Sequence, residues 1–200
     1  MTPAIEVQGA GRAYGDRVVL RDLSFCVPEG STLAVLGANG AGKTTLLRML
    51  ATLLRPHAGT VRVLGATLPR EGWRVRGRLG LLAHDPLLYR DLTARENLRF
   101  HARLHDVPQA RVEALLDHVE LRLRADEPLR TFSRGMVQRV AICRAVLHEP
   151  ELLLLDEPHA NLDVGAVALV EPLLTSARTR VLVSHDVDAA TEAADAVLRL

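Results

Sequence analysis

Residues 37 to 45 read Gly37-Ala38-Asn39-Gly40-Ala41-Gly42-Lys43-Thr44-Thr45, a glycine, four residues, then Gly-Lys-Thr. Glycines at those intervals let the backbone curl until successive N–H groups face one concavity, and a helix starting at the end of the loop adds its positive pole. Such a cradle suits an anion with several phosphate oxygens. Lys43 has the reach and the point charge for the outer phosphates, and the Thr44 hydroxyl can ligate magnesium. The flanks fit, because Leu33-Ala34-Val35-Leu36 reads as an apolar strand and Thr45-Leu46-Leu47-Arg48-Met49-Leu50 as a helix. Of the 25 basic residues, Lys43 is the one lysine and the others are arginine. The compact ammonium stands where a planar guanidinium would not serve as a point charge among phosphates.

Acid–base groups close two further apolar runs. Leu152-Leu153-Leu154-Leu155 ends in Asp156-Glu157, and Val181-Leu182-Val183 ends in Ser184-His185-Asp186. Strand ends are where open α/β sheets place ligand groups. Asp156 can hold magnesium, directly or through water, while Glu157 can orient and deprotonate the water that attacks a terminal phosphate. His185 can align that water or donate to the developing charge. A second helix start follows Thr131-Phe132, where Ser133 can cap a helix through Gln138 and Ala141 and Gly135 permits a close approach. One chain then carries two anion-receiving helix starts and one nucleotide loop, which predicts that a second copy supplies the other half of each site.

The elements that must position these groups alternate. Short β-like runs between Ala4 and Val27, broken by Gly9, Gly11 and Gly15-Asp16, predict a small antiparallel layer. The helix after the phosphate loop is expected to run to about Leu54, before Pro56 and Gly59; Thr60 to Leu64 and Arg78 to Ala83 read as strands. From Leu92 to about Leu147 the pattern is helical, opening on the capping-box spacing Thr93-Ala94-Arg95-Glu96, with a second helix from Pro108 through Val119. His101 and His105, one turn apart, read as solvent-facing side chains in the absence of a third ligand. Val164 to Ala177 reads as helix despite Pro172, Arg180 to Val183 as strand, and Asp188 to Ala194 as helix. The whole is an α/β unit on a mainly parallel sheet.

Composition narrows the class. With 200 residues, 48% of them hydrophobic, the chain can bury one sizeable core, and a net charge of +1 gives no field for nucleic acid. The Arg70 to Arg78 segment, with Trp73, reads as a solvated helix edge or loop rather than a nucleic-acid patch. Cys26 and Cys143 lack metal or disulfide spacing and read as small buried residues. No apolar run approaches a membrane span, so the chain is expected to be cytosolic, with any membrane role coming through a partner.

Taken together these motifs resemble, over essentially the whole chain and in the same order, the ATP-binding subunit of ABC transporters. The resemblance implies a P-loop NTPase core with a mainly parallel sheet, a small N-terminal antiparallel β layer and an inserted helical lobe: one domain, core about 1–84 and 148–200, lobe about 85–147. It implies ATP and Mg2+ as ligands. Tyr14 falls where the family stacks an aromatic on adenine, Gly37 to Thr45 on the Walker A loop, Asp156 and Glu157 on Walker B and the catalytic glutamate, Leu162 and Asp163 on the D-loop, and His185 on the switch histidine. His84 takes the slot of the Q-loop glutamine, with metal contact implied. Phe132 to Arg139 resembles the signature motif, Ser133 and Gly135 kept but Arg134 replacing a glycine and Met136 a glutamine. The implied partners are a second ATP-binding subunit, as a homodimer, and an integral membrane permease met around Asp85 to Tyr89 and the helical lobe; no nucleic acid is implied. The location that the resemblance implies is the cytoplasmic face of the cell membrane, peripheral through that permease. The wording Phe-Ser-Arg-Gly-Met and the stretch Leu88 to Leu98 are similar to haem-exporter ATPases of cytochrome c maturation, with drug-type exporters the alternative. A soluble ABC ATPase acting on ribosomes or DNA would carry a tandem cassette or a coiled-coil insertion, and a regulator without turnover would have no use for Glu157 and His185.

Overall fold

The computed structural model describes residues 3–200. Two 12-residue strands, β1 (Pro3–Tyr14) and β2 (Arg17–Pro28), form an antiparallel hairpin, joined by β4 (Ala58–Val63) and β5 (Ala66–Leu68) in the order β2-β1-β4-β5. The glycines expected to separate short strands instead sit inside long ones: register shifts occur between Val7 and Ala10 and between Ala10 and Arg12, so Gly9 and Gly11 bend a continuous ladder.

The second sheet is parallel, in the order β6-β7-β8-β3-β9, with β3 (Thr32–Leu36), β6 (Leu79–Leu82), β7 (Leu152–Asp156), β8 (Thr179–Val183) and β9 (Ala196–Arg199). The four leucines of β7 show why this sheet is central. Leu152 and Leu154 face the core shared with the antiparallel layer and α1 (Lys43–Leu50), whereas Leu153 and Leu155 face the helices on the other side. A strand buried on both faces must be apolar at every position, which is what a continuous leucine run supplies. Each such leucine contributes about 2 kcal/mol of gross transfer free energy. Strand β9, which sequence reasoning missed, pairs with β3 through Leu33 to Leu36.

The helices are α2 (Ala94–Leu104), α3 (Gln109–His118), α4 (Arg134–Val146), α5 (Val164–Leu174) and α6 (Val187–Glu192). Thr93 and Glu96 close the expected capping box on α2. Helix α1 stops at Leu50 rather than Leu54 because Thr52 turns left-handed (φ 65°) and the N–H groups of Leu53 and Leu54 both return to the Arg48 carbonyl. Two side-chain expectations fail. Cys26 is exposed, lying on the outer strand of the antiparallel sheet, while Cys143 is buried in α4. His101 and His105 are half-buried rather than solvent-facing, because α2 packs against α4 and the segment beyond it: the His105 ring stacks on His148 with centroids 4.1 Å apart.

Candidate functional site

Parallel strands bring their C-terminal ends to one edge of a sheet. β3 therefore delivers Gly37 to Thr45, β6 leads to His84, β7 to Asp156 and Glu157, and β8 to His185, all at the same edge. They border a cleft of about 480 Å³ that also takes Tyr14 from the antiparallel layer. Of the expected residues, Tyr14, Asn39, Gly40, Gly42, Lys43, Thr44, Thr45, His84, Asp156, Glu157 and His185 line it. Gly37 and Ala38 serve from behind, through their carbonyls, and the Ala41 N–H closes the loop on the Ala38 carbonyl at 3.1 Å.

Lys43 is only 8% exposed, and its Nζ donates to the Gly37 and Ala38 carbonyls at 2.7 and 3.1 Å. The ammonium is thus parked on the loop it serves, within the cleft. Helix α1 begins with no side-chain cap and no acidic residue in its first turn, so its leading N–H groups and positive pole are left for an anion. Gly42, at φ 107°, makes that start possible, since a Cβ there would lie 2.8 Å from Leu20 Cδ2.

Thr44 Oγ1 donates to Asp156 Oδ2 at 2.9 Å, joining the loop to the end of β7. Among the described residues no three His, Cys, Asp or Glu side chains converge as a metal cage. A hydroxyl beside a carboxylate is what magnesium uses, since it keeps waters and phosphate oxygens for its other positions. The donor set therefore fits Mg2+ brought in with a polyphosphate.

Glu157 takes a left-handed backbone (φ 53°), uncommon for a side-chain-bearing residue, where β7 turns into its loop. Oε2 accepts the His185 N–H at 3.2 Å, while Oε1 is buried without a hydrogen bond; the His185 ring stands 3.4 Å away without the alignment for one. A carboxylate held by one oxygen and left without a partner at the other has the form of a general base. Gln138, to which sequence reasoning gave no role, donates to the Glu157 and Pro158 carbonyls at 3.4 and 3.0 Å and ties α4 to this turn.

Ser133 and Gly135 do not line the cleft. Ser133 is exposed and caps α4, accepting the Met136 N–H at 3.2 Å, and a Cβ on Gly135 would lie 2.7 Å from the Asn161 carbonyl oxygen. His84 is shared between the cleft and a neighbouring cavity of about 330 Å³ bordered by Arg134, Gln138 and Asn161. Arg12 and Arg17 were also missed. Arg12 lies over the Tyr14 ring at 5.0 Å and is held by the Arg55 carbonyl and the His57 ring. Arg17 lines the cleft itself. Its signal lay in the Gly15-Asp16 turn, which sets Arg17 opposite Tyr14.

The family model described as ABC transporter matches residues 20–160. Among curated proteins, the Nod factor export ATP-binding protein I of Ralstonia nicotianae is 37% identical over 97% of this chain and 63% of its own length. The daunorubicin resistance ATP-binding protein DrrA3 of Streptomyces coeruleorubidus is 39% identical over 97% of this chain and 64% of its own. The chain thus spans less than two thirds of these relatives. A solved ATP binding subunit of an ABC transporter superposes with a TM-score of 0.88 at 31% identity, covering 100% of this chain and 86% of that one. The ATP-binding cassette MJ0796, solved as a dimer in a post-hydrolysis state with ADP and Pi, shares the fold with a TM-score of 0.87 at 23% identity, over 98% of this chain and 94% of that one. The family match takes in the phosphate loop, His84, the Ser133 helix start and both strand-end carboxylates, and on that ground the chain belongs to the ABC transporter family.

Proposed function

We propose that this chain binds and hydrolyses ATP as the nucleotide-binding subunit of an ABC transporter and powers an integral membrane permease. The observation that carries the reading is the convergence of Lys43, the Thr44–Asp156 pair and the Glu157–His185 pair on one cleft. Lys43 exchanges two loop carbonyls for phosphate oxygens, and Tyr14 offers a ring face to the base. Thr44, Asp156 and His84 would hold Mg2+, which when bound neutralises developing charge on the phosphates. Glu157 takes the proton of the attacking water on Oε1 while His185 fixes the carboxylate through Oε2.

In the same reading Ser133 and Gly135 act on the nucleotide of a second copy in a homodimer. The lobe of about residues 85–147 meets the permease around Asp85 to Tyr89, at the cytoplasmic face of the membrane. No helix among the described residues is long and apolar enough to cross a membrane. For the cargo, the Phe132 to Met136 and Leu88 to Leu98 wording favours haem export for cytochrome c biogenesis. Relatives named for Nod factor export and daunorubicin resistance, at 37% and 39% identity over 97% of the chain, outweigh two short segments and support the drug-type exporter over haem export, while a relative named for Fe(3+) import is equally similar, at 39% over 98%. Glu157→Gln tests the chemistry: ATP binding is kept and turnover falls roughly 100-fold or more. Turnover at the wild-type rate would remove Glu157 from the role of base. The complex purified from native membranes, with its permease and bound small molecule identified, decides among these cargoes.

A further inference from the structure

The hairpin that presents Tyr14 presents a cation with it. Tyr14 and Arg17 are direct partners across the Gly15-Asp16 turn, and side chains of such a pair leave the ladder on the same face. Both line the cleft. The Arg17 guanidinium rests on the phosphate loop itself, with Nη2 3.3 Å from where a Cβ on Gly40 would stand. Several arginines elsewhere are tied up in pairs and others have no partner, but among the described residues Arg17 is the one arginine that lines this cleft. Arg78 is paired twice with Glu151, Arg95 with Asp126 and Glu113, and Arg124 with Glu127; Arg12, on the other side of Tyr14, is held by Arg55 and His57. Among the described residues Arg17 has no hydrogen-bond or ion-pair partner, so its whole donor fork is open at the mouth of a site built for anions.

We propose that Arg17 is a second phosphate-binding cation of this site, closing on a nucleoside polyphosphate from the side opposite Lys43. The proposal rests on the nucleotide reading of the cleft. The two cations are chemically distinct. Lys43 is a buried point charge under the loop, whereas Arg17 offers a planar fork that can grip two phosphate oxygens at once from the solvent side. Because one turn carries Tyr14 and Arg17 together, the same hairpin presents a ring to the base and a cation to the phosphates. Affinity should therefore depend on phosphate number through Arg17 and on the base through Tyr14.

The test measures dissociation constants of the full chain for ATP, ADP and AMP at two salt concentrations, in wild type, Arg17→Gln, Arg17→Lys and Lys43→Ala. Losing a charge-assisted pair predicts a roughly 10-fold or greater loss of ATP affinity in Arg17→Gln, with AMP changed less than about 2-fold and a shallower salt dependence. Arg17→Lys, which restores charge without the fork, should recover part of the ATP affinity. Equal weakening for all three nucleotides, or none, overturns the proposal. If Lys43→Ala loses ATP while Arg17→Gln does not, the nucleotide site stands and the role of Arg17 falls. If wild type binds no ATP, both fall.

Discussion

At the scale of single residues, the lone lysine is the sharpest statement the chain makes. Its Nζ is fixed by two loop carbonyls at 2.7 and 3.1 Å, and the side chain is buried. A guanidinium in that place would need space for a planar fork and could not turn all its donors on one oxygen cluster. Lys43→Arg is therefore expected to lower ATP turnover roughly tenfold or more although charge is conserved; unchanged kinetics would sink the argument from side-chain shape. Residues of this kind were legible because a covalent spacing fixes them. Arg17 and Gln138 were not, since each acts through a contact made only after folding, Arg17 against Gly40 and Gln138 against the carbonyls of Glu157 and Pro158. Cys26 was misread for the same reason. The strand around it alternates burial, and no residue type announces which face is outward.

At the scale of elements, α2 is held by polar devices as much as by apolar packing. Asn97, fully buried, accepts the Tyr89 N–H at 2.8 Å and donates to the Tyr89 and Thr93 carbonyls at 2.9 Å, pinning the loop after His84 to the helix. Nearby, burial holds the His101 and His148 imidazoles down, from the ordinary value of 6.5 to about 4 each, with Arg144 and the neighbouring His105 adding repulsion, and burial also lowers His105. These rings fold neutral and are protonated more readily in the unfolded chain. Their contribution is complete above about pH 6.5 and declines as pH falls toward 4. Allowing for water at half-buried rings, the loss is on the order of 1 kcal/mol per imidazole. The expected outcome is a melting temperature that drops between about pH 7 and pH 5, a window above the titration of the paired carboxylates, and drops less in His148→Leu. An equal pH response in both proteins would mean that the cluster does not set it.

At the scale of the whole molecule, the arrangement of the sheet was readable where pattern is strong: four consecutive leucines for β7, a strand running into a glycine loop for β3. The edge strand β9 was not, since Ala196 to Arg199 is short, largely exposed and held by backbone pairing to β3. What no sequence pattern could supply is which groups of one chain meet each other. The fold sets Ser133 outside the cleft that holds Lys43 and Glu157, exposed at the start of α4, so a single copy cannot close its own site with that helix. If a second copy closes it, dimer formation and nucleotide binding must be separable by mutation. Glu157→Gln with ATP and magnesium should elute at the mass of two chains. Adding Ser133→Arg should return it to the mass of one, because the added cation and bulk would spoil the helix start that receives the other copy's phosphates, while ATP affinity of the single chain stays within about 2-fold. Loss of ATP binding by the single chain in the Ser133 variant would instead place that helix start in its own site, against the geometry described above.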